Sequence, residues 1–397
     1  MRKYIFLSTV VSGIGGGQIY AKNKAKYLLN KGYEVLAISY HGDKNENIDF
    51  LKQYVFAEIE HLPSAYSVSK QRKIIDKIIF CIHPNSNDEI VIESNNMLCA
   101  LWAEMIAERL KCKHIIFSIS ERNAVNDDMA KFLEFKFNRG ELATIAPRTF
   151  SELFEKSSVV KNETIPVMNA FLGDNIADYY DERLDLIQKK EFNFCIIGRA
   201  GKSYVKFACE QIVEYCKKHP QMSFSLGLVS KFEDEKETLE MNRKFTQVKN
   251  LTVYQLGYFS PMPKKLFSIF DLYIGGAGCA SLCYRQKCLT LALDMSDSMP
   301  LGLMGYDVLK TSDYALKGIT YENCFDSVIF TKEYQQKEYI PAIRRTSEEA
   351  FAVHDAFLNA SVNDKYYFKV SNIKASIKAK IKANFPFLIK IYRRIKG

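Results

Sequence analysis

An apolar run from Lys3 to Val11 breaks on a knot of glycines, Gly13, Gly15, Gly16 and Gly17, and continues as a helical pattern from Gln18 to Lys31. Gly32 closes that pattern, and Tyr33 to Ser39 is a second apolar run. A glycine past a helix end and strand-length apolar runs on both sides read as strand, turn, helix, strand. This unit constrains the fold most. Parallel strands joined by a helix belong to a sheet covered on both faces.

The unit recurs. Glu89 to Ile92 is a strand, Asn96 to Leu110 a helix, and His114 to Ile119 and Leu142 to Ala146 further strands. The pattern breaks between Lys161 and Asp181. A second series then follows: strand Asn193 to Gly198, helix Tyr204 to Lys218, strands Ser223 to Leu228 and Leu251 to Leu256, short helix Pro263 to Phe270, strand end Leu272 to Ile274, and strand Leu289 to Asp294. At 397 residues the chain is long for one core, and 47% apolar residues can fill two. The expectation is an α/β chain of two doubly wound, Rossmann-like parallel-sheet domains. The first spans 1–170, the second 191–370, with a linker at 171–190 and a tail at 371–397.

The opening residues MRKYIFLSTVV have the basic start and apolar run of a short signal peptide. They are read as a buried first strand, because they flow directly into the strand–glycine–helix unit. No run of about 18 apolar residues predicts a membrane span. The 10 cysteines are scattered without a Cys-x-x-Cys pair, which predicts reduced thiols in a cytoplasmic protein. No metal or cofactor is expected.

Eight of the basic residues, and no acidic ones, lie between Ser371 and Gly397, so the net charge of +9 leaves only +1 for the rest. That distribution argues against a general nucleic-acid surface and for one local contact. Ile373, Ile377 and Ile381 recur every four residues, and Phe385, Phe387, Leu388, Ile391 and Ile395 follow around Pro386. The tail is expected to be an amphipathic helix resting on the anionic inner face of the cell membrane.

The glycine knot does not fit the dinucleotide fingerprint. From Gly13 the third glycine position is Gln18, and from Gly15 it is Tyr20. The next strand ends Ile38-Ser39-Tyr40-His41, without the acidic residue that would hold a ribose. No Gly-Lys-Ser/Thr follows at P-loop distance.

The order of Gly-rich turn, helix and Lys31-Gly32-Tyr33-Glu34-Val35 resembles the opening of retaining GT-B glycosyltransferases of the family-4 type. The resemblance implies an interdomain cleft with Gly15, Gly16, Gly17 and Gln18 facing the acceptor and the sugar diphosphate. In the second half, IIGRAGKS is similar to the segment whose Arg and Lys bind the donor diphosphate, which assigns Arg199 and, closer to it than usual, Lys202. A nucleotide-diphosphate leaving group needs fixed cations where no metal serves, and Arg and Lys supply a fork and a point charge. LCYRQKCLTLALD departs from the pattern: Leu282 stands at the ribose-binding glutamate, Lys287 at a glycine and Leu289 at a proline.

Gly276, Ala277, Gly278 and Ser281 still put small residues at a helix start, where amides and the helix dipole favour a phosphate. DMSDSMPLGLMGYDVL supplies a second loop with Gly302 and Gly305. This combination is similar to capsule- and O-antigen-locus transferases that lack the glutamate. The resemblance spans roughly residues 1–330.

Glu121 and Arg122 follow a strand, where open α/β sheets bind ligands. Glu121 either binds a sugar hydroxyl or polarises the acceptor, or is an ordinary strand-end carboxylate. Glu93, Ser94 and Asn95 follow another strand, and His41 and His83 are loop histidines. The partners this implies are a nucleotide-sugar donor, a lipid-linked glycan acceptor and a membrane surface, with no nucleic acid. Two other readings stay open: a GT-B-shaped sugar-nucleotide epimerase, and a degenerate, non-catalytic glycan-binding or scaffold protein.

Overall fold

In the computed structural model, which describes residues 1–397 except 10, 12–14, 43–49, 120–124, 155–165, 169, 172, 174, 200, 233, 311–317, 363–364, 386 and 388–397, the first apolar run is strand β1, Arg2–Ser8. Period-two alternation sends its side chains both ways. Tyr4 and Phe6 pack with Tyr20, Ala21, Ala25 and Leu28 on one face of the sheet. Ile5 and Leu7 pack with Ile78 and Trp102 on the other.

The chain continues as α1 (Gly16–Asn30), β2 (Tyr33–Ser39), β3 (Lys52–Val55), α2 (Val68–Ile82), β4 (Glu89–Ser94), α3 (Met97–Leu110), β5 (Lys113–Ser118), α4 (Asp127–Asn138), β6 (Leu142–Thr144) and α5 (Pro147–Leu153). These six strands form one sheet in the order β3-β2-β1-β4-β5-β6, parallel throughout.

A two-residue strand β7 (Ile176–Ala177) opens the second series. It is followed by β8 (Phe192–Ile197), α6 (Ser203–Lys218), β9 (Phe224–Val229), α7 (Glu235–Thr246) and β10 (Leu251–Gln255). Then come β11 (Met262–Pro263), which pairs with β7, and β12 (Leu272–Gly276), α8 (Ala277–Arg285), β13 (Thr290–Leu293), β14 (Pro300–Leu303) and α9 (Tyr321–Ile329). The main sheet runs β10-β9-β8-β12-β13-β14. Every residue of β8 and β9 is buried, as in strands covered on both faces. The expected pair of Rossmann-like parallel sheets is therefore present. One departure is β14, which pairs antiparallel with β13 where the sequence suggested a loop.

The domain boundaries also differ from the expectation. One compact unit is Met1–Gly173 together with Arg345–Gly397, and the other is Asp174–Arg344. The segment after Arg344 returns to the first unit as α10 (Ser347–Ala360) and α11 (Ile377–Asn384). A capping box between Thr346 and Glu349 starts α10. Phe351 then enters the core shared by Tyr4, Tyr20 and Tyr27. The Phe368 amide donates to Glu104 Oε1 at 2.8 Å, and Val370 and Ile373 join the core of α4 and α5. An apolar helical stripe announces that it must be covered, but not by which sheet.

A buried charge network ties α3, β5 and α4 together. Glu104 Oε2 meets His114 Nδ1 at 2.7 Å and Lys136 Nζ at 3.0 Å, and Lys136 reaches Glu141 at 2.5 Å. Arg139 also pairs with Glu141. Burial, then the charge of Lys136, lowers the His114 pKa, although Glu104 and Glu141 oppose the shift. Burial alone would raise the Glu104 carboxyl, but Lys136 and His114 hold it down at about 2.

The sign follows for both. Below its unfolded pKa of about 6.5, His114 binds a proton more readily in the unfolded chain. Glu104 stabilises the fold above its unfolded pKa, and that contribution is lost as pH falls towards 2. Folding stability is expected to decline steadily from pH 7 to pH 4. His61, lowered by burial as well, adds to the upper part of that slope. Urea melts across this range check it, and His114→Gln should flatten the segment between pH 7 and 5 relative to the parent.

Candidate functional site

In each main sheet the strand that comes first in the chain lies inside the sheet, so the connections leave it in opposite directions. β1 sends the chain to β2 on one side, and β4 lies on its other side. β8 is flanked in the same way by β9 and β12. Open α/β sheets bind ligands beyond the carboxyl ends of the strands at such switch points.

In the second unit, Ile197 at the end of β8 pairs with Gly275 of β12, which sets the loop after β8 beside the start of α8. Gly198 has no room for a side chain: a Cβ would stand 2.5 Å from Val205 and 2.7 Å from the Tyr204 hydroxyl. Arg199 is exposed, and Lys202 is half-buried as the N-cap of α6. Across from them, burial pushes the Cys279 thiol up. A hydrogen bond with Tyr204 and the charges of Arg199 and Lys202 pull it down. The loop that carries both cations thus lies beside the first turn of α8, whose N-cap is Gly276 and whose opening residues are Ala277 and Gly278. No side chain caps that turn. On the α6 flank, Lys202, Lys206, Lys231, Phe207 and Phe232 line an open groove of about 360 Å³ that also includes Glu210 and Glu237.

Several expected donor-site residues have duties inside the unit. A Cβ on Gly276 would meet Met295 Sδ at 2.3 Å and the Tyr204 ring at 3.1 Å, so a side chain there would have to displace both. The Ser281 hydroxyl donates back to the Ala277 carbonyl at 3.2 Å. Gly302 lies within β14 at φ 130° and Gly305 in the following turn at φ 85°. Added side chains would strike Asp307, and Tyr339 and Tyr284, respectively. Both are buried, and strand geometry and packing account for both.

Leu282, where the sequence resemblance expects a ribose-binding glutamate, is buried in the unit. Asp294, the next carboxylate along, accepts from the Ser296 amide and hydroxyl, both at 2.6 Å. Lys287, where the sequence resemblance expects a glycine, has φ 62°, the left-handed conformation that glycine adopts without strain.

In the first unit, Gly15 is the buried N-cap of α1, and Gly16, Gly17 and Gln18 form its first turn. Gly15 has φ −73° and needs no glycine for its backbone. A Cβ on Gly17 would meet nothing within 4 Å, so nothing in the described chain demands its smallness. Thr9, at the end of β1, accepts hydrogen bonds from Tyr40 and from Asn96. Asn96 also caps α3 through the Cys99 amide at 2.8 Å. Neither residue stood out in the sequence, since single Thr and Asn at strand ends are common turn residues.

Glu93 does not line this crevice. It is fully buried, with its carboxylate held by Lys24 at 2.5 Å, Tyr4 at 2.6 Å, Tyr20 at 2.9 Å and Asn95 at 3.1 Å. Burial would raise its pKa, but Lys24 overrides that and leaves it lowered. Ser94 Oγ lies 2.9 Å from His114 Nε2, and His114 bonds Glu104, the order of a nucleophile relay. All three are at most 1% exposed, so no reacting atom can approach and the set is structural. His41 is exposed against the Tyr40 ring, and His83 is the left-handed C-cap of α2. Glu121 and Arg122 lie outside the described residues.

No family profile matches the chain, and no curated protein does. Solved structures do match. HepE of Anabaena, in complex with UDP and glucose, aligns with a TM-score of 0.54 at 10% identity, over 90% of this chain and 96% of its own. A glycosyltransferase from Rickettsia africae gives 0.54 at 13% identity over 98% of both chains. The UDP-GlcNAc 2-epimerase of Neisseria meningitidis, bound to UDP-GlcNAc, gives 0.50 at 12% identity over 90% of this chain and 100% of its own. Such identities speak for architecture. With two Rossmann-like parallel-sheet domains, the chain has the GT-B fold that these glycosyltransferases and epimerases share.

Proposed function

We propose that the protein is a retaining glycosyltransferase that moves a hexosyl group from a nucleotide-diphosphate donor to a lipid-linked glycan during bacterial surface polysaccharide synthesis, at the cytoplasmic face of the membrane. The observation that carries the reading is the pair Arg199 and Lys202 in the loop after β8, which the β8–β12 pairing sets beside the first turn of α8 at a switch point, a turn no side chain caps. Cations and free amides converging on one point suit the charge that grows on a departing diphosphate. Gly276, Ala277 and Gly278 bring backbone to that point, and Gly15, Gly16, Gly17 and Gln18 are the acceptor-side counterpart.

HepE, which shares the fold, holds UDP and glucose. Retention at the sugar carbon asks for no poised base if the leaving phosphate takes the acceptor's proton. That agrees with the engagement of Glu93 and Asp294 in bonds of their own. An epimerase would need free carboxylates at these strand ends, and Glu93 and Asp294 are both engaged in bonds of their own.

The test is a thermal-shift screen of nucleotide diphosphates, followed by turnover of the matching nucleotide sugars. At a hundredfold excess over Kd, a true ligand stabilises by about 2.7 kcal/mol, a rise of a few degrees in Tm. One nucleotide should stand out, and its sugar should be transferred only when a lipid-linked acceptor is present. A shift without transfer marks a non-catalytic binder. Interconversion of the sugar without acceptor marks an epimerase. No shift with any nucleotide removes the proposal.

A further inference from the structure

The short helix α11 is laid down with its small residues inward and its large ones outward. Ala375 and Ala383 are 8% and 9% exposed within the core of α2 and α3, and Ala379 packs against the same cluster. The Ala375 amide donates to Ser64 Oγ at 2.8 Å and Asn384 Nδ2 to the Ala65 carbonyl at 2.9 Å, which fixes this orientation. One helical face round, Ile377 is 78% exposed, Ile381 43%, Phe385 49% and Phe387 56%. Ile373, expected on the same stripe, is instead buried with Val370 before the helix begins. A segment that buries alanines and shows isoleucine and phenylalanine to water has a second apolar partner in view.

Charge narrows the partner. Lys374, Lys378, Lys380 and Lys382 are exposed along this stretch, and Lys382 pairs with Glu60 at 3.6 Å. Next to it, Lys70 reaches Asn384 at 3.5 Å, and Lys70, Lys73 and Lys77 share one side of α2. They line an open groove of about 410 Å³ with Ser67, Ser69 and Glu58. Two copies of the stripe facing each other would bring their lysines together, so self-pairing is opposed by like charge. A flat apolar layer edged with anions satisfies both features.

We propose that α11 and the lysine side of α2 form one docking face for an anionic lipid surface. Ile377, Ile381, Phe385 and Phe387 enter the acyl boundary, and Lys70, Lys73 and Lys77 meet the headgroup phosphates. The proposal deepens the reading of a lipid-linked acceptor, but it binds the membrane whether or not the donor site is read correctly. The experiment uses the full chain with vesicles of phosphatidylcholine, alone or mixed with phosphatidylglycerol, scored by sedimentation. UDP thermal shift and circular dichroism are recorded in parallel.

The parent should bind anionic vesicles at least tenfold better than neutral ones, and less well as salt rises. Ile377→Gln/Ile381→Gln/Phe385→Gln should lose at least tenfold with its melting unchanged. Lys70→Gln/Lys73→Gln/Lys77→Gln, which leaves α11 intact, should bind more weakly with a shallower salt dependence. Vesicle binding without any UDP response supports docking while the donor reading fails. Equal binding by parent and stripe variant overturns the proposal. So does equal binding to neutral and anionic vesicles, or a doubled parent mass that the stripe variant abolishes, which would assign the stripe to a second copy.

Discussion

Lys24→Met is expected to destabilise the protein by about 3–5 kcal/mol, the usual cost of stripping one partner from a buried ion pair. Lys24 is 2% exposed and Glu93 fully buried. Without the ammonium, the carboxylate keeps only the hydroxyls of Tyr4 and Tyr20 and the amide of Asn95. Those donors soften the loss without cancelling the charge. His354, from α10, faces Tyr20 Oη and Lys24 Nζ at 3.3 Å each, so the same change should loosen the return of α10 to the first unit. Chemical denaturation measures the loss. Lys24→Met/Glu93→Gln should recover much of it, because no uncompensated charge then remains. A single-variant loss below about 1 kcal/mol would show that the pair is not what holds α1 to β4.

Arg199→Ala is expected to cut kcat/KM by about 10- to 150-fold, equivalent to the roughly 1.5–3 kcal/mol of a hydrogen bond to a charged group. Arg199 is exposed, so the fold should survive the change. The variant should melt like the parent without nucleotide and lose most of the shift that the best nucleotide diphosphate gives the parent. Arg199→Lys keeps the charge but not the planar fork and should fall between the two. Parent-like kinetics in a folded Arg199→Ala protein would remove this residue from the donor site and leave Lys202 as the cation to test.

Much of the architecture was readable before any coordinates. Alternation of apolar runs with helical patterns locates β1, β2, β4, β5, β6, β8, β9, β10, β12 and β13 and the helices between several of them. These signals are local: a strand's period and a helix's cap are written within a few residues. β3 is too short and mixed in character to announce itself, whereas α2 carries a helix-period set of isoleucines, Ile74, Ile75, Ile78 and Ile82, that the structure buries. β14 reads as a loop in sequence because its four residues, Pro300–Leu303, include a proline and a glycine.

The site was legible as motifs and less so as roles. Arg199 and Lys202 fall at a strand end beside a helix start, as the glycine-punctuated sequence suggested. Gly276, Gly302 and Gly305 look the same in sequence whether a ligand or a neighbouring side chain forbids a Cβ. Only the positions of Met295, Asp307 and Tyr339 tell these cases apart. Glu93 read as a strand-end carboxylate open to a ligand, because nothing near it in the chain announces a cation. Its partner Lys24 lies 69 residues away.

The sequence by itself determined two parallel sheets with glycine turns at their switch points, since backbone conformation and face polarity are settled by neighbours along the chain. Tertiary structure alone decided that α10 and α11 complete the first unit, that Lys24 neutralises Glu93, and that α11 turns its alanines inward and its isoleucines out. Each of these depends on which surface meets which after the chain has closed on itself. Burial and charge pairing act through space, across separations that no local pattern encodes.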